Sequence, residues 1–160
     1  MKQEKFIDIK KLIASKNPRL AKWLPRFIIK YLKNILHEDE LNDFISKNKH
    51  KTNFEFCDSV IEFFKIDVNV IGIENIPKNG SIVLAMNHPL GGMDGVAFIS
   101  SIQNHRKDIK YIVNDLLMNI ENLKDLFVGV NKHGKNNQNT RDNIDDLFAS
   151  EQAVCIFPSG

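Results

Sequence analysis

Residues 87–95 combine side chains suited to proton transfer with a loop that can hold them close together. The segment reads Asn-His-Pro-Leu-Gly-Gly-Met-Asp-Gly and directly follows the apolar run 81–86. An imidazole accepts and returns a proton near neutral pH, and a neighbouring carboxylate fixes its tautomer and stabilises the imidazolium. We therefore predict that His88 is a general base and that Asp94 orients it.

The flanking pattern predicts the elements that position these two residues. The aliphatic residues of 81–86 indicate a strand, and the Pro and Gly residues that follow indicate a tight loop. The apolar segment 96–102 predicts a helix that begins near Asp94. His88 is therefore expected at the end of a strand, about one loop away from Asp94.

Beyond residue 67 the chain alternates short apolar runs with helical patterns. We predict strands at 68–73, 81–86, 110–113, 127–130 and 153–157. Helices are predicted from near Asp94 to about residue 103, at 114–126 and at 140–150. This alternation is typical of an α/β fold with a mostly parallel sheet flanked by helices, whose strand ends carry the site. Since His88, Asn131 and Pro158 each follow a predicted strand, they can converge on one edge of the sheet.

Residues 1–66 predict a helical region with a basic surface, which precedes the α/β core at 67–160. Residues 1–36 contain ten Lys and Arg against Glu4 and Asp8, a net charge of +8. The remaining residues contain 12 basic and 18 acidic side chains, a net charge of −6. Helices are predicted at 4–15, 18–36, 37–49 and 53–64, with Asn17 as an N-cap, Pro18 at the first helical position and a bend at Pro25.

The predicted helix at 18–36 is amphipathic. One side carries Arg19, Lys22, Arg26, Lys30 and Lys33, and the other carries Leu20, Leu24, Phe27, Ile28, Tyr31, Leu32 and Ile35. Trp23 lies between the two faces. This arrangement is typical of a helix on an anionic membrane surface, and it also fits a helix whose apolar face packs against the protein's own core. Both alternatives stay open.

Composition and cysteine usage narrow the setting. The 160 residues are 42% hydrophobic and 26% charged, as in one ordinary globular domain. Cys57 and Cys155 have neither C-x-x-C nor metal-ligand spacing, so we expect a reduced, cytoplasmic setting without a disulfide. No signal peptide or 18-residue apolar run is present, so a transmembrane span is not expected.

Other kinds of site fit the sequence less well. His88, His105 and His133 lack the spacing of metal ligands, so no metal is predicted. Phosphate-binding and dinucleotide-binding glycine patterns do not occur, and no nucleic-acid partner or other cofactor is expected. Ser159 lacks the G-x-S-x-G context of an acyl nucleophile.

Residues 87–95 resemble the first conserved block of the phospholipid/glycerol acyltransferase superfamily, and more closely its hemolysin-like bacterial branch, which includes enzymes that make ornithine and glycine aminolipids. The resemblance implies that His88 deprotonates an acceptor hydroxyl or amine, which attacks a fatty-acyl thioester directly, and that Asp94 orients His88. The superfamily commonly has four residues between these two, whereas this chain has five. Asn87, Gly91 and Gly92 belong to the same block and are assigned to substrate binding.

Two later segments resemble further blocks of the superfamily, in the same order. In Leu-Phe-Val-Gly-Val-Asn-Lys-His-Gly, residues 126–134, the resemblance implies that Asn131 and Lys132 hold the acceptor's anionic group. In Ile-Phe-Pro-Ser-Gly, residues 156–160, Pro158, Ser159 and Gly160 match a block that usually reads Pro-Glu-Gly, with serine in place of glutamate. The three blocks span about half of the chain.

The resemblance implies an acyltransferase with a glycerol-phosphate-acyltransferase-like fold. Its donor would be an acyl-carrier-protein or CoA thioester. The basic amphipathic residues 18–36 predict a second partner, an anionic membrane surface at the cytoplasmic face. The acceptor stays open among lysophosphatidate, glycerol phosphate and an amino acid or lyso-aminolipid. A non-catalytic membrane-lipid-binding protein is the alternative from another class. Because the resembled enzymes continue beyond the third block, we expect that the core is incomplete at the C-terminus.

Overall fold

The protein divides into two compact units, Met1–Lys49 and His50–Gly160. The structure is a computed structural model that describes residues 7–114, 117–130 and 138–158. Asn131, Lys132, Ser159 and Gly160, four of the predicted binding residues, therefore lie outside the described residues. The predicted domain boundary after residue 66 stays a prediction.

Four helices form the described part of the first unit. They are α1 (Ile9–Lys16), α2 (Pro18–Trp23), α3 (Arg26–Ile35) and α4 (Glu38–Lys47). Asn17 caps α2 as predicted, because its side chain accepts a hydrogen bond from the Leu20 amide at 3.0 Å and Pro18 is the first helical residue.

A single bent helix at 18–36 is the first prediction that the structure corrects. The chain leaves the helical conformation at Leu24, whose φ and ψ are −65° and 122°, and α3 starts after Pro25. A proline ring disfavours helical backbone in the residue before it and supplies no amide hydrogen to the preceding turn. The predicted bend is therefore a break between two helices.

A buried carboxylate ties the first unit together. Glu38, at the start of α4, is fully buried, and its side chain accepts hydrogen bonds from the Ile9 amide at 3.0 Å and from Lys33 Nζ at 2.8 Å. The two donors belong to α1 and α3. Because a buried charge is tolerated only when it is paired and hydrogen-bonded, Glu38 fixes the packing of three helices.

The second unit has the predicted α/β architecture. It contains α5 (Asn53–Phe64), β1 (Ile82–Ala85), α6 (Gly92–Ile102), β2 (Ile109–Asn114), β3 (Phe127–Val130), α7 (Gln138–Ala149) and β4 (Ala153–Ile156). The described strands form one sheet with the order β1-β4-β2-β3, and every pair is parallel. Ala153, Val154 and Cys155 of the inner strand β4 are at most 1% exposed, so the core lies around this strand.

Two predicted elements are absent from the positions at which the sequence placed them. Residues 68–73 form no strand in the described structure; they lie beside α6 and end in a short 3₁₀ helix, Ile73–Asn75. β-Branched residues favour a strand only where neighbouring strands are present to pack against them. This segment packs against a helix, so it forms no strand.

The helix predicted at 114–126 is replaced, within its described residues, by two 3₁₀ turns, Leu117–Asn119 and Glu121–Leu123. The Asn114 side chain accepts from the Leu117 amide at 3.2 Å, and buried Asn122 donates to the Lys51 carbonyl at 2.7 Å. Asparagine side chains that bond to backbone in this way compete with regular helix formation.

Candidate active site

The parallel sheet brings the ends of β1 and β4 side by side. Ala85 pairs with Ile156 in the last register of the two strands, and the Met86 amide donates to the Ile156 carbonyl at 3.0 Å. His88 follows β1 and Pro158 follows β4, so both lie at the carboxyl edge of the sheet. Strand β3, which precedes Asn131, ends at the same edge two strand positions from β4, about 10 Å away at the usual strand spacing.

A tight turn connects His88 to α6. The Gly91 amide donates to the His88 carbonyl at 3.4 Å, and the Asp94 amide donates to the Gly91 carbonyl at 3.1 Å. Gly91 has φ +66° and ψ −139°, a conformation that is open to glycine and strained for other residues. Asp94 Oδ2 accepts from the Leu90 amide at 2.8 Å and closes the turn. This turn accommodates the five residues between His88 and Asp94.

The structure brings the imidazole and the carboxylate together without a direct hydrogen bond. His88 Nδ1 lies 3.7 Å from Asp94 Oδ2, which is beyond hydrogen-bond distance but close enough for a charge interaction. Nδ1 is buried and has no hydrogen-bond partner among the described residues. The His88 side chain is nevertheless 22% exposed, so its accessible surface belongs to atoms other than Nδ1. Because Nδ1 faces Asp94, Nε2 is the nitrogen left for a substrate.

Phe157 is a neighbour of His88 that the sequence analysis did not single out. Its ring stacks on the imidazole with a centroid distance of 4.2 Å and an angle of 28° between the planes. Phe157 also stacks with Tyr111 of β2, with a centroid distance of 6.0 Å and an angle of 27° between the planes. The available signal was an aromatic residue directly before Pro158, at the end of the predicted strand 153–157.

Comparison with known proteins decides the family. Residues 11–160 match the acyltransferase family. The chain belongs to this family. The assignment suggested by the three sequence blocks is thereby confirmed at the level of the acyltransferase family, and the hemolysin-like branch stays a prediction. No solved structure gives a significant match.

The chain is similar to two relatives in particular. It is 39% identical over 156 residues to the lyso-glycine lipid O-acyltransferase of Phocaeicola vulgatus, covering 97% of this chain and 56% of that protein. It is 41% identical over 156 residues to the lyso-glycine lipid O-acyltransferase of Bacteroides thetaiotaomicron, covering 97% of this chain and 57% of that protein. The chain thus spans a little over half the length of the relatives that it matches.

The other predicted residues of this acyltransferase-family chain are placed as follows. Asn87 is exposed at the start of the turn, Gly92 is the first residue of α6, and Pro158 is exposed after β4. Asp94 lies in the first turn of α6, where the positive end of the helix dipole favours a carboxylate.

Two clefts in the second unit lie away from His88. A cleft of about 420 Å³ runs between β3 and α7 and includes Lys110, Gly129 and Asp146. A more apolar cleft of about 360 Å³ lies between residues 68–76 and α6 and includes Ile71 and Phe98. Neither cleft contains His88 or Asp94.

The buried groups beneath the site are neutral. Burial raises the pKa of the Cys57 and Cys155 thiols to about 12 each, and it raises the pKa of the Tyr111 hydroxyl well above its usual range. The Tyr111 hydroxyl interacts with Cys155 but has no hydrogen bond of standard geometry among the described residues. These thiols are therefore poor nucleophiles, and His88 is the better candidate for the chemistry.

Two further findings concern metals and membranes. Within residues 7–114, 117–130 and 138–158, no three His, Cys, Asp or Glu side chains are grouped so that they can hold a metal ion. Among the helices that the structure describes, none has both the length and the apolar character needed to cross a bilayer.

Proposed function

We propose that the chain is an O-acyltransferase in which His88 is the general base. It would transfer a fatty acyl group from a thioester of acyl-carrier protein or coenzyme A to the hydroxyl of a lipid precursor. The observation that carries this proposal is the His88 imidazole at the sheet edge with Nδ1 facing Asp94 Oδ2 at 3.7 Å. Membership of the acyltransferase family supports acyl transfer, and the names of the relatives support a lyso-glycine lipid as acceptor.

The proton inventory of the reaction is simple. His88 Nε2 accepts the acceptor hydroxyl's proton as the oxygen attacks the thioester carbonyl carbon. The Asp94 carboxylate then stabilises the imidazolium by its charge. When the tetrahedral intermediate collapses, the carbon–sulfur bond breaks and the leaving thiolate takes the proton back from His88. The products are an ester and a free thiol, and no acyl-enzyme forms.

Residues around the turn and at the strand ends are assigned to the substrates. Asn131 and Lys132 follow β3 and are proposed to contact the acceptor's anionic group, which in a glycine lipid is a carboxylate. Asn87, Gly91 and Gly92 are proposed to leave room for the reacting groups beside His88. Pro158, Ser159 and Gly160 follow β4 and are proposed to line the side of the substrate site that lies across from the His88 turn.

A transfer assay tests this function. Radiolabelled acyl-carrier-protein and CoA thioesters are each incubated with the full chain and with lyso-glycine lipid, lysophosphatidate, glycerol phosphate or glycine. We expect a labelled ester with lyso-glycine lipid. A preference for lysophosphatidate or glycerol phosphate would overturn the acceptor assignment. If neither thioester is consumed with any acceptor, the alternative of a non-catalytic lipid-binding protein is favoured.

Asp94→Asn is expected to lower kcat of the transfer reaction by about 10- to 100-fold. The substitution removes the charge that stabilises the imidazolium but keeps an oxygen that can accept from the Leu90 amide at 2.8 Å. Initial rates at saturating thioester measure the effect, and circular dichroism checks that the turn and helix persist. Unchanged kcat in a folded Asp94→Asn protein contradicts the role of Asp94.

The first unit is proposed to bind an anionic membrane surface at the cytoplasmic face. Taken by itself, this unit exposes Trp23, Phe27 and Tyr31, with exposed fractions of 81%, 72% and 64%. The basic residues Arg26 and Lys30 lie on α3, as Phe27 and Tyr31 do, and are exposed. A surface that is apolar along one stripe and basic beside it suits the boundary between acyl chains and anionic headgroups.

Replacing both Trp23 and Phe27 by alanine is expected to weaken binding to phosphatidylglycerol-containing vesicles at least ten-fold. Each substitution removes apolar surface that would leave water on binding. Phe148→Ala is the matched control, because Phe148 is an exposed aromatic residue of the second unit. Vesicle sedimentation at several salt concentrations measures the affinity. Equal binding by the double variant and the control, or binding that salt does not weaken, contradicts the proposal.

A further inference from the structure

We propose that Phe157 is a positioning residue that sets the plane of the His88 imidazole, an inference that rests on the proposed role of His88 as base. The Phe157 ring covers one face of the imidazole at a centroid distance of 4.2 Å and an interplanar angle of 28°. Phe157 has no group that reacts, so its effect would be exerted through His88.

Asp94 by itself leaves the orientation of the imidazole incompletely fixed. Its Oδ2 lies 3.7 Å from His88 Nδ1 and is already hydrogen-bonded to the Leu90 amide at 2.8 Å. A charge interaction at that distance stabilises the imidazolium but is only weakly directional, whereas a hydrogen bond would define the ring angle. The flat face of an aromatic ring supplies the missing constraint, because it restricts rotation of the imidazole out of the stacked plane.

Phe157 is itself held by the core. Its ring stacks with Tyr111 at 6.0 Å and 27°, and Tyr111 is only 1% exposed. Tyr111 in turn makes edge contacts with Phe98 and Phe127, with centroid distances of 6.5 Å and 6.3 Å. The imidazole is therefore the outer member of an aromatic column rooted in β2, α6 and β3.

Two backbone features keep the Phe157 ring in place. A Cβ built on Gly95 would lie 3.8 Å and 3.9 Å from two carbons of the ring, so the first half of α6 passes close beside it. Pro158 restricts the backbone of the residue before it to extended conformations. The column also has a chemical effect, since the negative face of an aromatic ring attracts the imidazolium that forms during proton transfer.

Three variants test the proposal by steady-state kinetics. Phe157→Met keeps apolar bulk but removes the flat ring, and we expect kcat to fall about ten-fold with little change in KM for the thioester. Phe157→Tyr keeps the ring and should restore kcat to near the wild-type value. Phe64→Met is the matched control, because Phe64 is the last residue of α5 and its ring contacts Phe63, outside the aromatic column. It should keep kcat.

Nuclear magnetic resonance of the wild-type protein gives a readout that needs no variant and no activity. The His88 ring protons should be shifted upfield by the Phe157 ring and should show nuclear Overhauser effects to its protons. Absence of both overturns the stacking, even if Phe157→Met does not fold. Wild-type kcat in Phe157→Met together with an inactive His88→Ala overturns the positioning role alone, whereas an active His88→Ala overturns the base assignment itself.

Discussion

His88→Ala is expected to lower kcat/KM for acyl transfer by about 10²–10⁴-fold, the usual contribution of a positioned general base. Without the imidazole, the acceptor hydroxyl must lose its proton to water while it attacks the thioester. Asp94 cannot replace the base, because its Oδ2 already accepts from the Leu90 amide and its place in the turn is fixed by backbone bonds on either side. Initial-rate measurements with lyso-glycine lipid and an acyl thioester measure this fall in kcat/KM.

The same substitution should leave the fold intact. His88 is partly exposed at the sheet edge, so its removal costs about 1 kcal/mol of unfolding free energy, chiefly the stacking on Phe157. His50→Ala is the matched control, because His50 is an exposed histidine outside the turn. Turnover within a factor of two of wild type in a folded His88→Ala protein would refute the base assignment.

Arg106→Leu is expected to lower the free energy of unfolding of the second unit by about 3–5 kcal/mol. The Arg106 guanidinium is fully buried at the amino edge of the sheet, opposite the candidate site. It donates to both carboxylate oxygens of Asp108 at 2.6 Å and 2.8 Å, and to the carbonyls of Pro77, Gly80 and Glu151 at 3.0 Å, 2.6 Å and 2.9 Å.

The size of this effect follows from which segments the guanidinium joins. The carbonyl acceptors lie in the segments that lead into β1 and β4, and Asp108 directly precedes β2. Leucine would leave the three carbonyls without their donor and Asp108 without its partner. Even Arg106→Lys should lose most of the unfolding free energy that Arg106 contributes, because an ammonium group lacks the planar fork that reaches several acceptors at once. Urea unfolding curves measure both variants.

Arg141→Ala is the matched control for Arg106→Leu, since Arg141 is exposed on α7 and its loss should change stability by less than about 0.5 kcal/mol. If Arg106→Leu lowers the free energy of unfolding by less than about 1 kcal/mol, Arg106 does not stabilise the second unit in this way.

Asp108→Asn adds a pH dependence to the same test. The hydrogen bonds from Arg106 hold the pKa of the Asp108 carboxyl below its ordinary value of 3.8. Ionised Asp108 therefore adds stability above that pH, and this addition is lost as the pH falls through the lowered pKa. The difference between Asp108→Asn and wild type should be present at neutral pH and vanish in acid.

Local signals in the sequence were sufficient for much of the fold. Apolar runs bounded by turn residues predicted β1, β2, β3 and β4 to within about one residue at most ends, because strand type and turn chemistry depend on neighbours in the chain. The Asn17 cap was predicted for the same reason. Where local and tertiary signals conflicted, prediction failed: residues 68–73 pack beside α6, and Asn122 bonds to Lys51 in place of helix formation.

By itself, the sequence determined the family, the parallel α/β class and the turn that joins His88 to Asp94, since motif order, hydrophobic periodicity and glycine positions can be read along the chain. Tertiary structure alone decided that β4, the last of the described strands, lies between β1 and β2. This strand order places Phe157 on the His88 ring and Tyr111 behind it. Strand order and ring stacking join residues that are about 45 to 70 positions apart, and they depend on how the whole core packs.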